Sequence, residues 1–426
     1  MSTVDHRIAN RPPPLPRRAP IIAALDVGTS KVVCLIATGD ERGRTRLLGI
    51  GHQRSGGIKA GMVIDADAAE QSVRAAVGQA ERMAGVTMEQ VSLAVSCGRL
   101  KSQRFVARAR TETGFAGDVD VARVLEGGES YATRGARTLV QFHTEAWHLD
   151  GAEGVADPRG MPGAELTADL MAVTADDGPL QNILAVVERC YLEPQQLAAT
   201  PFASAMAVTT ADERNLGVLV IDIGAGVTSM AAFLGGELVL AEVIPVGAHL
   251  ITFDIARRLV TPVTEAERIK TLYGTLLPAL SNEHETLSFP VTGGEEGATG
   301  RVTRAELRAM IQPRVAGIAT LVRERLEAAR LDRAALERVV LTGGGAQLEG
   351  IDGYWAEARG ATVRIGKPGA IEGASPDMLG PAFATVSGLV GDALQQHFAA
   401  RAGGARRWRG SGYVSWIGNW LSRAKA

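Results

Sequence analysis

Ile21-Ile22-Ala23-Ala24-Leu25-Asp26-Val27-Gly28-Thr29-Ser30-Lys31-Val32-Val33-Cys34-Leu35-Ile36-Ala37 is the stretch on which the reading of this chain turns. Apolar runs at 21–25 and 32–37 flank the polar stretch 26–31, which predicts two buried strands joined by a glycine turn. A carboxylate ends the first strand, Gly28 permits a tight turn, and hydroxyls, amides and an ammonium follow. These groups suit phosphate. Backbone amides and the hydroxyls of Thr29 and Ser30 donate to phosphoryl oxygens, Lys31 neutralises charge, and Asp26 acts on hydrated Mg²⁺ rather than on phosphate itself. One copy is a weak signal, because most glycine turns after strands are only turns.

A second copy strengthens it. Strand, Asp-Xaa-Gly turn and strand recur at 218–221, 222–229 and 230–234, where the turn reads Asp222-Ile223-Gly224-Ala225-Gly226-Val227-Thr228-Ser229. Two copies of one hairpin on two halves of the chain predict two related lobes facing each other, with a metal-directing carboxylate, Asp26 or Asp222, on each side of a triphosphate. A third glycine cluster, Val339-Val340-Leu341-Thr342-Gly343-Gly344-Gly345-Ala346-Gln347, lets backbone approach a flat ligand such as a nucleoside.

The rest of the chain is consistent with a large α/β protein. Its 426 residues are 46% hydrophobic and 22% charged, enough to bury one large core or two linked ones. The net charge of -2 excludes an overall nucleic-acid footprint. Cys34, Cys97 and Cys190 lack metal-ligand spacing and read as reduced core thiols of a cytoplasmic protein. Residues 1–20 are rich in Arg and Pro and have no apolar core for export, so they read as a disordered leader. No run is long and apolar enough to span a bilayer, so membrane contact is expected to be peripheral.

Helical spacing at 66–83 and again from 180–187 brackets a region, 89–176, of different texture. It mixes short strands at 91–95, 139–143 and 170–174, a helix at 119–133 and a Gly/Pro-rich loop at 151–163, and reads as an inserted subdomain. Thr264 with Glu267, and Thr303 with Glu306, have the capping-box spacing and predict two helix starts. The second helix carries Leu307, Met310, Ile311, Val315, Ile318 and Val322 on one stripe, with Pro313 as a kink; a loop at 293–300 precedes it. His143 and His148 read as packed or surface side chains, and no Ser/His/Asp or Cys/His set points to nucleophilic catalysis.

The three glycine motifs, in this order, resemble the first phosphate, second phosphate and adenosine motifs of the superfamily of actin, sugar kinases and heat-shock ATPases. Within it the chain resembles the FtsA family of bacterial cell-division proteins. The resemblance is carried by Ser55-Gly56-Gly57-Ile58 with Gly61 and Asp65, Val243-Ile244-Pro245-Val246-Gly247, Glu267-Arg268-Ile269-Lys270, Leu341 through Gly350, and Val363-Arg364-Ile365-Gly366, over about 21–390 and again in the tail. It implies an α/β, actin-like two-lobed ATPase fold with duplicated sheet-and-helix lobes and a relocated FtsA-type inserted subdomain. The implied division is a first lobe at 21–88, 177–213 and 383–400, the insert at 89–176, a second lobe at 214–260 and 337–382, and its subdomain at 261–336.

The resemblance further implies ATP and Mg²⁺ held by Asp26, Gly28, Thr29, Ser30, Lys31, Asp222, Gly224, Ala225, Gly226, Val227, Thr228, Gly247, Gly343, Gly344, Gly345 and Gln347, with Glu267 and Lys270 meeting the ribose and base from one helix face. It implies a surface after Gly300, with Arg301, Arg304, Arg308 and Arg314, that receives the C-terminal peptide of the tubulin-like division protein FtsZ. Self-association into filaments, recruitment of later division proteins and a place at midcell on the inner membrane are implied by the same likeness. Where the family often has Gly-Gly-Gly-Thr-Thr-Asp this chain has Gly224 through Ser229, losing a hydroxyl and a carboxylate. The segment 201–206 offers only Ser204 to order a water. Weak ATPase activity at most is therefore expected.

Three alternatives share the fold. A metabolite kinase needs a substrate cleft with a catalytic carboxylate, which no segment resembles. A chaperone ATPase needs a substrate domain, and only about 26 residues follow Ala400. A pilus-assembly relative has no reason to carry an amphipathic end. Here 401–412 reads as a Gly-rich linker and 413–426 as an amphipathic helix, with Tyr413, Trp416, Ile417, Trp420 and Leu421 within an arc of about 140°. Arg423 and Lys425 flank that arc, and from Arg401 onward there are six basic residues and no acidic one, which suits an anionic membrane surface.

Overall fold

The computed structural model describes residues 19–277, 284–293, 297–332, 336–401 and 408–410, with 400–401 and 408–410 described by backbone alone. The expected linker, 401–412, falls largely outside this set, and the leader (apart from Ala19 and Pro20) and the amphipathic segment lie outside it.

The chain begins with β1 (Ile21–Val27), β2 (Lys31–Gly39) and β3 (Thr45–Arg54), a small hairpin of β4 (Ile58–Lys59) and β5 (Met62–Val63), then α1 (Ala66–Ala84) and β6 (Gln90–Val95). β1 and β2 pair antiparallel and β1 pairs β6 in parallel, so β1 is bonded along both edges, and Ala23, Leu25 and Val27 pack on one face of it and Ala24 on the other. The period-two alternation of β2 divides its side chains accordingly: Val32, Cys34 and Ile36 meet Val73, Ala76 and Ala80 of α1, while Val33, Leu35 and Ala37 face the opposite layer.

The insert comes next: β7 (Lys101–Arg110), α2 (Asp118–Ala132), β8 (Arg137–Leu149), β9 (Ala152–Val155) and β10 (Glu165–Asp176). Its strands pair in the order β7-β10-β8, and α2 covers one face through Val121 and Val124 against Leu166, Leu170 and Phe142. The chain then returns through α3 (Asp177–Arg189), β11 (Glu193–Ala199), α4 (Thr200–Val208) and α5 (Ala211–Leu216). β11 completes the first sheet, ordered β11-β6-β1-β2-β3.

The second lobe repeats the first. β12 (Val218–Ile223), β13 (Thr228–Leu234) and β14 (Glu237–Ile244) form the same meander, followed by α6 (His249–Leu259), α7 (Val263–Tyr273), the hairpin β15 (Thr286–Pro290) and β16 (Thr299–Thr303), and α8 (Arg304–Ala328). β17 (Arg338–Thr342) pairs β12 in parallel as β6 pairs β1, and α9 (Ile351–Arg359) leads to β18 (Thr362–Ile365). α10 (Ala384–Arg401) crosses back to the first lobe, where Val386, Leu389 and Val390 cover the face of the first sheet that α1 leaves open. A last strand, β19 (Trp408–Gly410), pairs with β8. The second sheet therefore runs β18-β17-β12-β13-β14-β7-β10-β8-β19. Between the lobes sits α4, whose Phe202, Ala205 and Val208 pack in one core with Val218, Val220 and Val340 of the second lobe and Leu197 of the first.

Several expectations change. Residues 91–95, assigned to the insert, form β6, the neighbour of β1, so that strand belongs to the first lobe. The expected loop 151–163 contains β9, and the expected linker contains β19. α7 starts at Val263, capped by Pro262 with no side-chain bond, because Glu267 is held by Thr252 and Lys270 instead of reaching back to the helix start. The second capping box forms as read: Thr303 Oγ1 accepts from the Glu306 amide at 3.2 Å, and α8 runs through Pro313 as one helix of 25 residues. Cys34 and Cys97 are buried and Cys190 half-buried, all free.

Candidate functional site

Both Asp-Xaa-Gly turns are built alike. Gly28 N donates to Lys31 O at 3.0 Å and Gly224 N to Val227 O at 2.9 Å, closing each hairpin one residue past its aspartate-bearing strand. The turn tips meet. A Cβ on Gly226 would overlap the Thr29 side chain, so this position has room for glycine alone. Behind the second turn, Ala248 N donates to Gly224 O at 2.9 Å and His249 N to Ala225 O at 2.8 Å, seating the start of α6 on it.

Asp26 and Asp222 thus stand on opposite walls of one cavity of about 750 Å³, within the range of ligand sites. Burial pushes Asp26 from the ordinary 3.8 up to about 6; the nearby Asp222 adds to the rise and Lys31 opposes it. Burial also raises Asp222, against hydrogen bonds from Ser204 and Thr385, the latter at 3.1 Å, and against Lys31. Two carboxylates held this way gain from a divalent cation or its bound waters. Lys31 itself is drawn below its usual range by burial, which the two aspartates resist. Its ammonium donates to the Ala382 carbonyl and lies 4.1 Å from the Phe383 ring centroid, at the start of α10.

The third cluster forms the far wall. Gly343 has φ +84°, and a Cβ there would overlap the Asp222 carboxylate. At Gly344 a Cβ would meet nothing within 4 Å, because the position opens into the cavity. Opposite it, Lys270 Nζ donates to Glu267 Oε2 at 2.7 Å and to Thr252 Oγ1 at 2.9 Å. Burial alone would raise Glu267, yet the bonds from Lys270 and Thr252 hold it below the usual carboxylate range.

Of the expected nucleotide residues, Asp26, Gly28, Thr29, Ser30, Lys31, Asp222, Gly224, Ala225, Gly226, Val227, Glu267, Lys270, Gly343, Gly344, Gly345 and Gln347 line this cavity. Thr228 and Gly247 do not. Thr228 is fully buried and donates to Val246 O at 2.7 Å, and Gly247 packs against the carbonyls of Gly224 and Ala225. Both hold the second turn in shape from behind. Ser204 is also fully buried and donates to Thr200 O at 2.5 Å. Residues the motifs did not announce also line the cavity: Thr200, His249 and Thr385. The Thr200 hydroxyl is buried without a hydrogen-bond partner among the described residues. Each stands at a helix start far from the glycine turns in sequence, so no local pattern marks it.

The four arginines expected to share a basic face are dispersed. Arg314 makes a bidentate pair with Asp254 at 2.8 and 2.9 Å, and Arg308 donates to Leu277 O at 2.9 Å. Arg304 turns into the nucleotide cavity, while Arg301 is exposed on β16. Trp416, Ile417, Trp420, Leu421, Arg423 and Lys425 lie outside the described residues. Among the described residues no helix is long and apolar enough to cross a membrane, and no cluster of His, Cys, Asp and Glu could hold a metal directly. His143 is buried against Phe202, with its ring pushed down to about 3 by burial, and His148 meets Asp169 at 3.0 Å.

Two mirrored lobes around such a cavity define an actin-like ATPase fold, which solved structures share: the PilM–PilN type IV pilus biogenesis complex (TM-score 0.62, 18% identity, 88% of this chain and 98% of that one) and MreB5 of Spiroplasma citri bound to ADP (0.52, 14%, 90% and 99%). The family model described as cell division protein FtsA matches residues 219–388, and that of the SHS2 domain inserted in FtsA matches 98–174, which excludes β6 as the pairing does. Cell division protein FtsA of Rhizobium meliloti (strain 1021) is 34% identical over 428 residues, 96% of both chains, and that of Escherichia coli (strain K12) 30% identical over 410 residues, 95% of this chain and 96% of the other. The chain belongs to the FtsA family of cell division proteins.

Proposed function

We propose that this protein binds MgATP between its lobes and tethers filaments of the tubulin-like division protein FtsZ to the cytoplasmic face of the inner membrane at midcell. The observation that carries the nucleotide reading is the mirrored pair of aspartate hairpins, whose tips meet at Gly226 and Thr29 beneath a cavity that Gly344 leaves open. Phosphates would bind the amides of the two turns, Mg²⁺ would be reached through water by Asp26 and Asp222, and ribose would meet Glu267 and Lys270. Mg²⁺ would bring Asp26 to its ionised form, and the negative charge of the phosphates would draw Lys31 from the Ala382 carbonyl. Hydrolysis would be slow, since Ser204 is fully buried and its hydroxyl is taken up by Thr200 O and the Asp222 carboxylate.

The membrane contact is the amphipathic segment 413–426, and the FtsZ peptide contact is the outer side of the β15–β16 hairpin and α8, with exposed Arg301 as its basic point. Filaments of this protein present many such tails at once, which turns a reversible single contact into firm attachment. Later division proteins would be recruited to the same filament. The family membership supports these assignments, and the likeness to the pilus protein extends to fold alone.

Calorimetric titration of the purified protein with ATP and Mg²⁺ tests the core of the reading. Saturable heat at one site per chain is expected; a flat titration with an otherwise folded protein would overturn it.

A further inference from the structure

We infer that the leader is a second membrane contact, its arginines binding anionic phospholipid headgroups beside the amphipathic tail; the inference rests on the membrane anchor proposed above. A broad depression of about 1440 Å³, sharing no lining residue with the nucleotide cavity, lies between α10 and the β2–β3 turn. Ala19 and Pro20, the first described residues, line it, and so do Phe398 and Ala399 near the end of α10. The leader and the chain that follows α10 therefore leave the body at one place. The tail root stays close to it. β19 pairs with β8 at Gln141, whose side chain accepts from Ala199 N at 2.9 Å at the end of β11. Further back on β11, Gln196 donates at 2.6 Å to Asp392, in the wall of the depression. With about 3.3 Å per strand residue and about 5 Å across each strand pair, Gly410 lies within about 30 Å of the depression. Residues 1–18, at up to about 3.3 to 3.6 Å each, can span that gap, and Arg17 and Arg18 start at it.

The leader carries Arg7, Arg11, Arg17 and Arg18 against a single acidic residue, Asp5. The body around its exit has little anionic charge to offer them. Asp40 already accepts from the amides of Arg42 and Arg44 at 3.0 and 3.1 Å and from Arg44 Nε at 2.7 Å. Asp392 is buried and accepts from Gln196 and, at 2.8 Å, from Gln396. Glu41 is exposed, but Arg42 beside it is exposed too and cancels its charge. This rim is thus close to neutral, while the two chain segments that leave it are both basic, the second with six cations and no anion from Arg401 onward. Basic residues beside an apolar anchor are drawn to the negative surface potential of anionic lipid, each adding to the attraction. Firm attachment takes two such signals, an apolar insertion and a polybasic stretch, where either alone is reversible. The tail supplies the first and the leader adds to the second.

Three full-length proteins test this: wild type, a leader variant (Arg7→Ser, Arg11→Ser, Arg17→Ser and Arg18→Ser together) and a tail variant (Trp416→Glu with Trp420→Glu). Each is sedimented with vesicles of phosphatidylglycerol and phosphatidylcholine, and with vesicles of phosphatidylcholine alone, at low and at high salt. At low salt the leader variant should bind the anionic vesicles about tenfold more weakly than wild type (about 1.4 kcal/mol), and the difference should shrink at high salt as the charges are screened. On the neutral vesicles the two should bind alike. Equal binding of leader variant and wild type to anionic vesicles overturns the inference, as does an equal loss on neutral ones, which would make the leader's effect independent of lipid charge. Melting temperatures should agree, since the replaced residues precede the described fold; a lower value for the leader variant would mean that the leader packs on the body, and overturns the inference as well. The tail variant keeps the two proposals apart: if it binds as wild type does, the anchor falls, and the leader comparison decides the inference by itself. A wild type that binds neither vesicle overturns both.

Discussion

Asp26→Asn should stabilise the ligand-free protein while removing its ability to use Mg²⁺. The carboxyl of Asp26 is raised from 3.8 to about 6, chiefly by burial. A group with a raised folded-state value favours the fold in its neutral form, so its contribution is present at low pH and is lost as pH rises from about 4 through about 6. At 1.36 kcal/mol per unit, a shift of about two units corresponds to about 3 kcal/mol lost above pH 7. The carboxylate lines a cavity that water enters, which screens part of this, so about 1 to 3 kcal/mol is expected. Asparagine keeps the shape and never ionises. Urea unfolding without nucleotide, at pH 4.5 and at pH 7.5, should show the variant more stable at the higher pH and its advantage shrinking at the lower. If the difference is the same at both, or the wild type is the more stable at pH 7.5, the account of a carboxylate held in an unfavourable charged state for ligand use is wrong.

Gly344→Asp should fold normally, because a side chain there meets nothing within 4 Å, yet lose at least about tenfold in ATP affinity, because the carboxylate fills the open cavity; calorimetry and melting together check this. Arg301→Glu should weaken an FtsZ tail peptide several-fold in fluorescence anisotropy at moderate salt and less at high salt, without altering stability, since Arg301 is exposed. A change that also reverses Arg304 would disturb the cavity, so Arg301 alone is the cleaner probe. Trp416→Glu with Trp420→Glu should release the protein from anionic liposomes in co-sedimentation while leaving ATP binding intact, and co-sedimentation equal to wild type would remove the anchor.

What could be read from the residues was what is local. The Asp-Xaa-Gly turns at Asp26 and Asp222 lie between apolar runs a few residues away, and both hairpins formed in the register those runs imply. Thr303 and Glu306 capped α8 for the same reason. What failed needed distant partners. Val91 and Leu93 look like any short strand until β1 pairs beside them, so the edge of the insert was misplaced. Thr264 lost its cap to Pro262 because Thr252, fifteen residues before Glu267, claims that glutamate. The arginines after Gly300 share a helix pattern, but Asp254, Leu277 O and the nucleotide cavity pull three of them apart. Thr200 and Thr385 reach the cavity from helix starts that meet only in the folded protein.

The insert is spliced covalently into the first lobe, between β6 and α3, yet its sheet is stitched to the second. That seam is short: one paired position, Glu242 with Lys101, reinforced by Val243 N to Leu100 O at 3.2 Å and Ala241 N to Ser102 Oγ at 2.8 Å. Its two bonds are backed by apolar packing, since Val140, Met171, Val173 and Ala175 of the insert share one buried core with Leu238 and Ala241 of β14. The insert is thus wedged between the lobes, held to β11 and α4 as well as to β14. A rotation that spreads the lobes would have to repack that shared core as well as part the short pairing of β7 with β14. Whatever sets the angle between the lobes is therefore felt at once by the insert, which touches both.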